Sequence, residues 1–246
     1  LCGEVVPFGL KMLFCCREME DFVIGVEICE DLWVPCPPCE RLTASGANII
    51  CNPSASDEVI GKEGYRRLLV SSTSARLACG YVYSNAAPSE STQDMVFSNH
   101  HIIAENGTLL AENRPFEENG LIVSEIDVAR LTHERHRITT YDVVPGGYEV
   151  IFPQEIRETE LTRHFDRNPF VPPHDAQINE RAGAILRIQS YGLKKRLEHA
   201  RAKTAVIGIS GGLDSTLALL VAVRAMDILG RDRHDINAGT MPCFRT

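Results

Sequence analysis

Thr204-Ala205-Val206-Ile207-Gly208-Ile209 runs straight into Ser210-Gly211-Gly212-Leu213-Asp214-Ser215, and Thr216 to Leu229 continues as a largely apolar segment closed by Gly230. A short β-branched run, a glycine-rich turn and a long apolar segment predict strand, tight turn and helix, with Gly230 as the helix stop. Backbone N–H groups in such a turn converge on one concavity at the positive end of the helix, which suits an anion, usually phosphate. Gly211 and Gly212 let the main chain approach phosphate oxygens. Ser210 and Ser215 add hydroxyl donors, and Asp214 can hold a divalent cation against them. No lysine starts the helix, so the loop is not GxxxxGK[ST], and it does not match GxGxxG. A plain βα turn in which Asp or Ser only caps the helix remains the alternative.

Working upstream, Ile178, Ala182, Ile185, Ile188, Leu193 and Leu197 recur at helical spacing through Ala200. Before them, residues 141–174 lose apolar periodicity, gather charge from Glu155 to Arg167 and stiffen at Pro169, Pro172 and Pro173, which reads as a linker. Two domains follow, residues 1–140 and 175–246. In the first, residues 22–28 (FVIGVEI) form a buried strand that ends in Cys29-Glu30-Asp31, and Ala47 to Cys51 forms a second that stops at Asn52-Pro53. Ser54 to Gly64 reads as a loop, Tyr65 to Cys79 as a helix with Gly80 as its C-cap, and Tyr81 to Asn85 as a strand. His101 to Asn113 folds as a hairpin about Asn106-Gly107, and residues 130–137 as a helix. The architecture is mixed α/β.

Composition limits what this architecture can do. The 246 residues carry 25 Lys plus Arg against 33 Asp plus Glu, a net charge of −8, and 44% are hydrophobic. This is a soluble globular balance with no basic face for a phosphate backbone, so nucleic acid is excluded as a partner. The longest apolar run, Leu217 to Val223, has seven residues, far short of a membrane span. The opening residues Leu1-Cys2-Gly3-Glu4 lack an initiator Met, a basic n-region and an apolar h-region and so do not read as a signal peptide, and nine scattered cysteines, an odd number, suit the reducing cytoplasm better than a disulfide framework. Cys36-Pro37-Pro38-Cys39 has CxxC spacing but no partner motif for zinc or redox work. Cys29, at a strand end, is placed as a nucleophile, with an inert buried thiol as the alternative.

The SGGLDS turn resembles the signature of the N-type ATP pyrophosphatases, and Thr240-Met241-Pro242-Cys243-Phe244 resembles a segment of their NAD synthetase branch, with Arg245 where that branch usually has Gly or Ala. Gly25-Val26-Glu27-Ile28-Cys29-Glu30-Asp31-Leu32-Trp33 resembles the nucleophile strand of the nitrilase-type amidohydrolases, in the form found in glutamine-dependent NAD synthetases. The resemblance implies the C-terminal part of a nitrilase-like αββα sandwich followed by the start of a Rossmann-like ATP-pyrophosphatase domain. It implies Cys29 as the thiol that attacks glutamine, with Ser56 and Lys62 binding that substrate. The Glu base and oxyanion Lys of the family lie ahead of residue 1. It further implies Gly208, Ile209, Ser210, Gly211, Gly212, Leu213, Asp214 and Ser215 as the ATP site, with Mg²⁺ on Asp214 and ATP and deamido-NAD as substrates. A homo-oligomer is implied in the same way. Another glutamine-dependent ligase, or a nucleotide-binding or assembly module without catalysis, stays open.

Overall fold

The computed structural model describes residues 2–117, 120–171 and 175–240, and the chain divides into two compact units, residues 1–164 and 165–246. In the first unit, β1 (Met12–Cys16), β2 (Val23–Val26), α1 (Pro38–Ala44), β3 (Ile49–Ser54), α2 (Lys62–Leu77) and β4 (Gly80–Asn85) follow in order. β5 (Ile102–Glu105), β6 (Thr108–Glu112), α3 (Val128–Arg137) and β7 (Tyr148–Phe152) complete it. The strands form one mixed sheet in the order β6-β5-β4-β3-β2-β1-β7, with β2, β3 and β4 parallel. Leu42 of α1 and Val70 and Leu77 of α2 bury against Ile50, Tyr81 and Ile102 of the sheet. One helix layer on one sheet is the α/β architecture expected.

β2 accommodates α1 through a missing side chain. A Cβ on Gly25 would come within 3.0 Å of Leu42 Cβ and 3.1 Å of Ile50 Cδ1. The β5–β6 hairpin turns at Asn106 (φ +44°) and Gly107 (φ +85°), the two positive φ values that a type I′ turn demands. Asp127 caps α3 by accepting the Arg130 N–H at 2.9 Å.

Two sequence expectations change. The cap of α2 is Ala78 in the left-handed region, not Gly80, which opens β4 instead. The reason is that Cys79 N–H reaches back to Ser74 O at 3.1 Å and so ends the helix earlier. Gly80 lacks a side chain for another purpose: a Cβ there would meet Ile126 at 2.9 Å. The stretch read as linker also carries β7, whose five residues pair in parallel with β1.

The second unit contains α4 (Asp175–His199), β8 (Ala205–Gly208), α5 (Leu213–Leu229) and β9 (Ile236–Gly239). β8 and β9 pair in parallel with α5 as their crossover, and Gly230 ends α5 at φ +66°. No described helix is long and apolar enough to cross a membrane.

Candidate functional site

The polar chemistry of the first unit gathers at the C-terminal ends of its parallel strands, where ligands bind in open α/β sheets. Beyond β2 the chain passes through buried Glu27 and exposed Ile28 into one 3-10 turn, Cys29–Trp33. Cys29 begins that turn at φ +53°, a region that costs a residue with a Cβ roughly 1–2 kcal/mol. Asp31 secures the turn from within, its carboxylate accepting the Ile28 N–H at 2.7 Å. Asn52 of β3 secures it from outside: Cys29 N–H donates to Asn52 Oδ1 at 3.0 Å, and Asn52 Nδ2 donates to Cys29 O at 3.4 Å. The half-buried Cys29 thiol is free. A nucleophile displayed on a strained turn after a strand is a recurring device of covalent catalysis.

Behind Asn52 lies a buried polar chain. Asn52 Nδ2 also donates to the Tyr81 hydroxyl at 3.1 Å, and that hydroxyl donates to the Glu27 carboxylate. Glu27 accepts in addition the Cys39 N–H at 2.8 Å, in the first turn of α1. Burial, reinforced by the Glu27 charge, pushes the Tyr81 pKa far above its ordinary value, so the phenol keeps its proton.

Ser56 and Lys62 flank the loop from β3 to α2. Ser56 is buried, and the Asn85 carboxamide at the end of β4 clasps its backbone, accepting its N–H at 2.8 Å and donating to its carbonyl at 3.0 Å. Lys62 opens α2, places Nζ 2.7 Å from Asp57 Oδ1 and lies over the Trp33 ring at 5.4 Å. Lys62 therefore reaches the turn that begins at Cys29. Its hydrogen bond holds the Asp57 carboxyl below the usual carboxylate range. A substrate carboxylate on Lys62 would have to exchange with Asp57.

Glu63, His100 and Glu112 offer ligand atoms within 4.8 Å of one another, yet their geometry is that of an ion-pair network. Arg67 bridges the two carboxylates at 2.8 Å each. Arg66 Nη1, always a donor, lies 2.8 Å from His100 Nδ1, so the imidazole proton sits on Nε2 and points to Glu112 Oε1 at 2.8 Å. That leaves Nε2 no lone pair for a metal. In the Cys36/Cys39 pair, burial and the Glu27 charge hold the Cys39 thiol far above its usual pKa, so it is a poor thiolate nucleophile.

In the second unit, Gly208 ends β8, and Ile209 N–H donates to Gly239 O at 2.8 Å. Gly211 takes φ +82°, and Gly212 caps α5 without a side chain. Ser215 Oγ accepts the Ser210 N–H at 3.3 Å and lies 3.2 Å from Ser210 Oγ, so both hydroxyls face one loop. Leu213 and Asp214 are exposed in the first turn of α5. Strand, glycine turn and helix thus assemble as the sequence predicted, with no side-chain cap at the helix start, while Met241-Pro242-Cys243-Phe244 and Arg245 lie outside the described residues.

Sequence reasoning missed Asn52, Tyr81, Asn85 and Glu27. The available signal was a pair of asparagines, each ending one of two neighbouring predicted strands.

Residues 6–135, just over half of the chain, match the family model described as carbon-nitrogen hydrolase. The chain belongs to the carbon-nitrogen hydrolase family. Residues 185–245 match the NAD synthase model, so this carbon-nitrogen hydrolase carries a second recognisable segment. The glutamine-dependent NAD(+) synthetase of Mycobacterium bovis is 38% identical over 99% of the chain and 38% of its own length. That of Mycobacterium leprae is 39% identical over 98% of the chain and 37% of its own length. The solved glutamine-dependent NAD+ synthetase of Acinetobacter baumannii, in complex with ADP, aligns at 20% identity over 92% of this chain and 34% of that one, with a TM-score of 0.40. The carbon-nitrogen hydrolase chain thus spans about 38% of the length of the first of these curated relatives.

Proposed function

We propose that the chain serves glutamine-hydrolysing NAD synthesis: glutamine is split at Cys29, and the ammonia amidates deamido-NAD (nicotinic acid adenine dinucleotide) at an ATP site built on Gly208 to Ser215. The observation that carries this reading is the presence, in one chain, of a strained nucleophile turn after a parallel strand and a glycine nest before a helix. Residues 1–140 supply the glutaminase part, 141–174 lead onward, and 175–246 open the synthetase part. In the first, Cys29 Sγ attacks the glutamine carboxamide carbon, the C–N bond breaks, ammonia leaves with a proton, and water cleaves the resulting thioester to glutamate. Ser56 and Lys62 hold the amino-acid end of glutamine, with Asp57 as the counterion that Lys62 gives up.

At the second site, ATP activates the deamido-NAD carboxylate as an adenylate, pyrophosphate leaves, and ammonia displaces AMP. The N–H groups of the loop and the start of α5 cradle the pyrophosphate. A single exposed carboxylate, Asp214, fits Mg²⁺, which takes one or two protein carboxylates and completes its shell with phosphate oxygens and water. Bound there, Mg²⁺ would supply neutralisation of phosphate charge. The same reading carries a homo-oligomer that passes ammonia internally and a reducing, cytoplasmic setting, to which the eight free thiols among the described residues lend support.

The test uses the full-length protein. Cys29→Ala should abolish glutamine-driven NAD formation while free ammonia still supports it, with AMP and pyrophosphate as the products of ATP. Persistent glutamine-driven synthesis in that variant overturns the nucleophile, and stoichiometric ADP overturns the synthetase.

A further inference from the structure

The Cys29 turn needs something to keep it strained, and the buried chain behind it names the agent. A left-handed residue with a Cβ persists only where its surroundings over-determine it. Asn52 contacts both polar backbone groups of Cys29, the N–H through Oδ1 and the carbonyl through Nδ2. All of its hydrogen-bonding capacity is directed, because Oδ1 also accepts Ser54 Oγ at 2.7 Å and Nδ2 also meets the Tyr81 hydroxyl. Which way the carboxamide faces is decided further back. Glu27, fully buried, acts as an acceptor toward both the Cys39 N–H and the Tyr81 hydroxyl. Tyr81 spends its one proton on Glu27, so its oxygen is left as an acceptor and Asn52 must turn its NH₂ toward it. Oδ1 then faces Cys29 N–H, the only orientation in which both backbone bonds of the nucleophile form.

We propose that Asn52, oriented by Tyr81 and Glu27, is the positioning residue that holds Cys29 in its left-handed conformation and aims the thiol. This rests on the glutaminase reading above for its catalytic meaning, but the conformational part stands on the hydrogen bonds alone. Asn52 acts through the Cys29 backbone and does not itself touch substrate.

The experiment compares full-length wild type with Asn52→Leu, Asn52→Asp and Tyr81→Phe. Glutamate release gives kcat and KM, and native-state iodoacetamide labelling at several pH values, read by mass spectrometry, gives the reactivity of Cys29 against exposed Cys2 and Cys36. Asn52→Leu should lower kcat about 100-fold with little change in KM, the scale of a misplacement of about 1 Å. Its Cys29 labelling rate should depart from the wild-type rate while the rates of Cys2 and Cys36 stay the same. Asn52→Asp keeps an acceptor for Cys29 N–H and should recover part of kcat. Should both Asn52 variants melt early, Tyr81→Phe carries the test, because it leaves Asn52 in place and removes only the group that sets its orientation. Unchanged kcat and labelling, or a raised KM at constant kcat, overturns the proposal. If wild type releases no glutamate, the glutaminase reading falls, and the labelling arm still decides whether Asn52 controls Cys29.

Discussion

At Gly25 a single added methyl group has nowhere to go, because Leu42, Ile50 and Ala47 already stand 3.0–3.2 Å from where its carbon would sit. Gly25→Ala should destabilise the first unit by about 1–3 kcal/mol, the usual cost of overpacking, read as a lower denaturant midpoint at constant m-value. His100 supplies a pH dependence. It is fully buried, and burial lowers its pKa below the ordinary imidazole value. The unfolded chain therefore takes up a proton as pH falls through about 6.5 while the folded chain does not, so stability is whole above that pH and declines below it until the folded pKa is reached. His101, lowered in the same sense, adds to the slope. Melting curves from about pH 7.5 to about 5 should lose part of this acid limb in His100→Gln, and an unchanged limb would rule His100 out as its source. At this scale the position of Cys29 just beyond a strand was legible because its signal, the end of an apolar run, is local. Asn52 was not, because its meaning lies in a contact 23 positions away in sequence.

Elements whose chemistry is written in adjacent residues were read correctly. Asn106-Gly107 fixed the β5–β6 hairpin, and that turn also packs on α2: a Cβ at Gly107 would meet Ala75 at 2.8 Å. Gly107→Ala should therefore cost more than either cause alone, about 2–5 kcal/mol from left-handed strain of about 1–2 and overpacking of about 1–3. A shift no larger than that of a surface substitution would show that the turn does not bear on α2. Where two glycine roles compete, local reading fails. Gly80 looked like a helix stop, yet packing against Ile126 claims it for β4, and Ala78 takes the left-handed cap. β7 escaped notice because its five edge residues, three exposed and two half-buried, are flanked by charge and carry little periodicity of their own. α1 begins at Pro38, inside the CxxC pattern, where the eye goes to sulfur before the proline that starts the helix.

Across the whole molecule, the proposed function has the Cys29 and Asp214 sites failing independently. Asp214→Asn should weaken Mg-ATP binding on the order of 10- to 100-fold, the scale of a lost charged contact, and depress synthesis from glutamine and from ammonia alike. Cys29→Ala should spare the ammonia route. Equal damage to both routes by Cys29→Ala would mean that the thiol serves the fold of the whole chain. The sequence disclosed both strand-and-turn units because each is written in adjacent residues. It did not disclose how the first sheet gains its edge strand β7, since that rests on pairing between segments remote in sequence. Met12 lies opposite Tyr148, 136 positions later (148 − 12 = 136). During synthesis at about 5–20 residues per second, β1 waits roughly 7 to 27 s for its outer neighbour to be made. Throughout that interval Met12-Leu13-Phe14-Cys15-Cys16 presents an apolar, unpaired strand edge, the kind of surface that nascent chains lose to aggregation. Translation speed between these two strands, and the capacity of the cell to shield β1 meanwhile, therefore set how much of the polypeptide reaches the folded state.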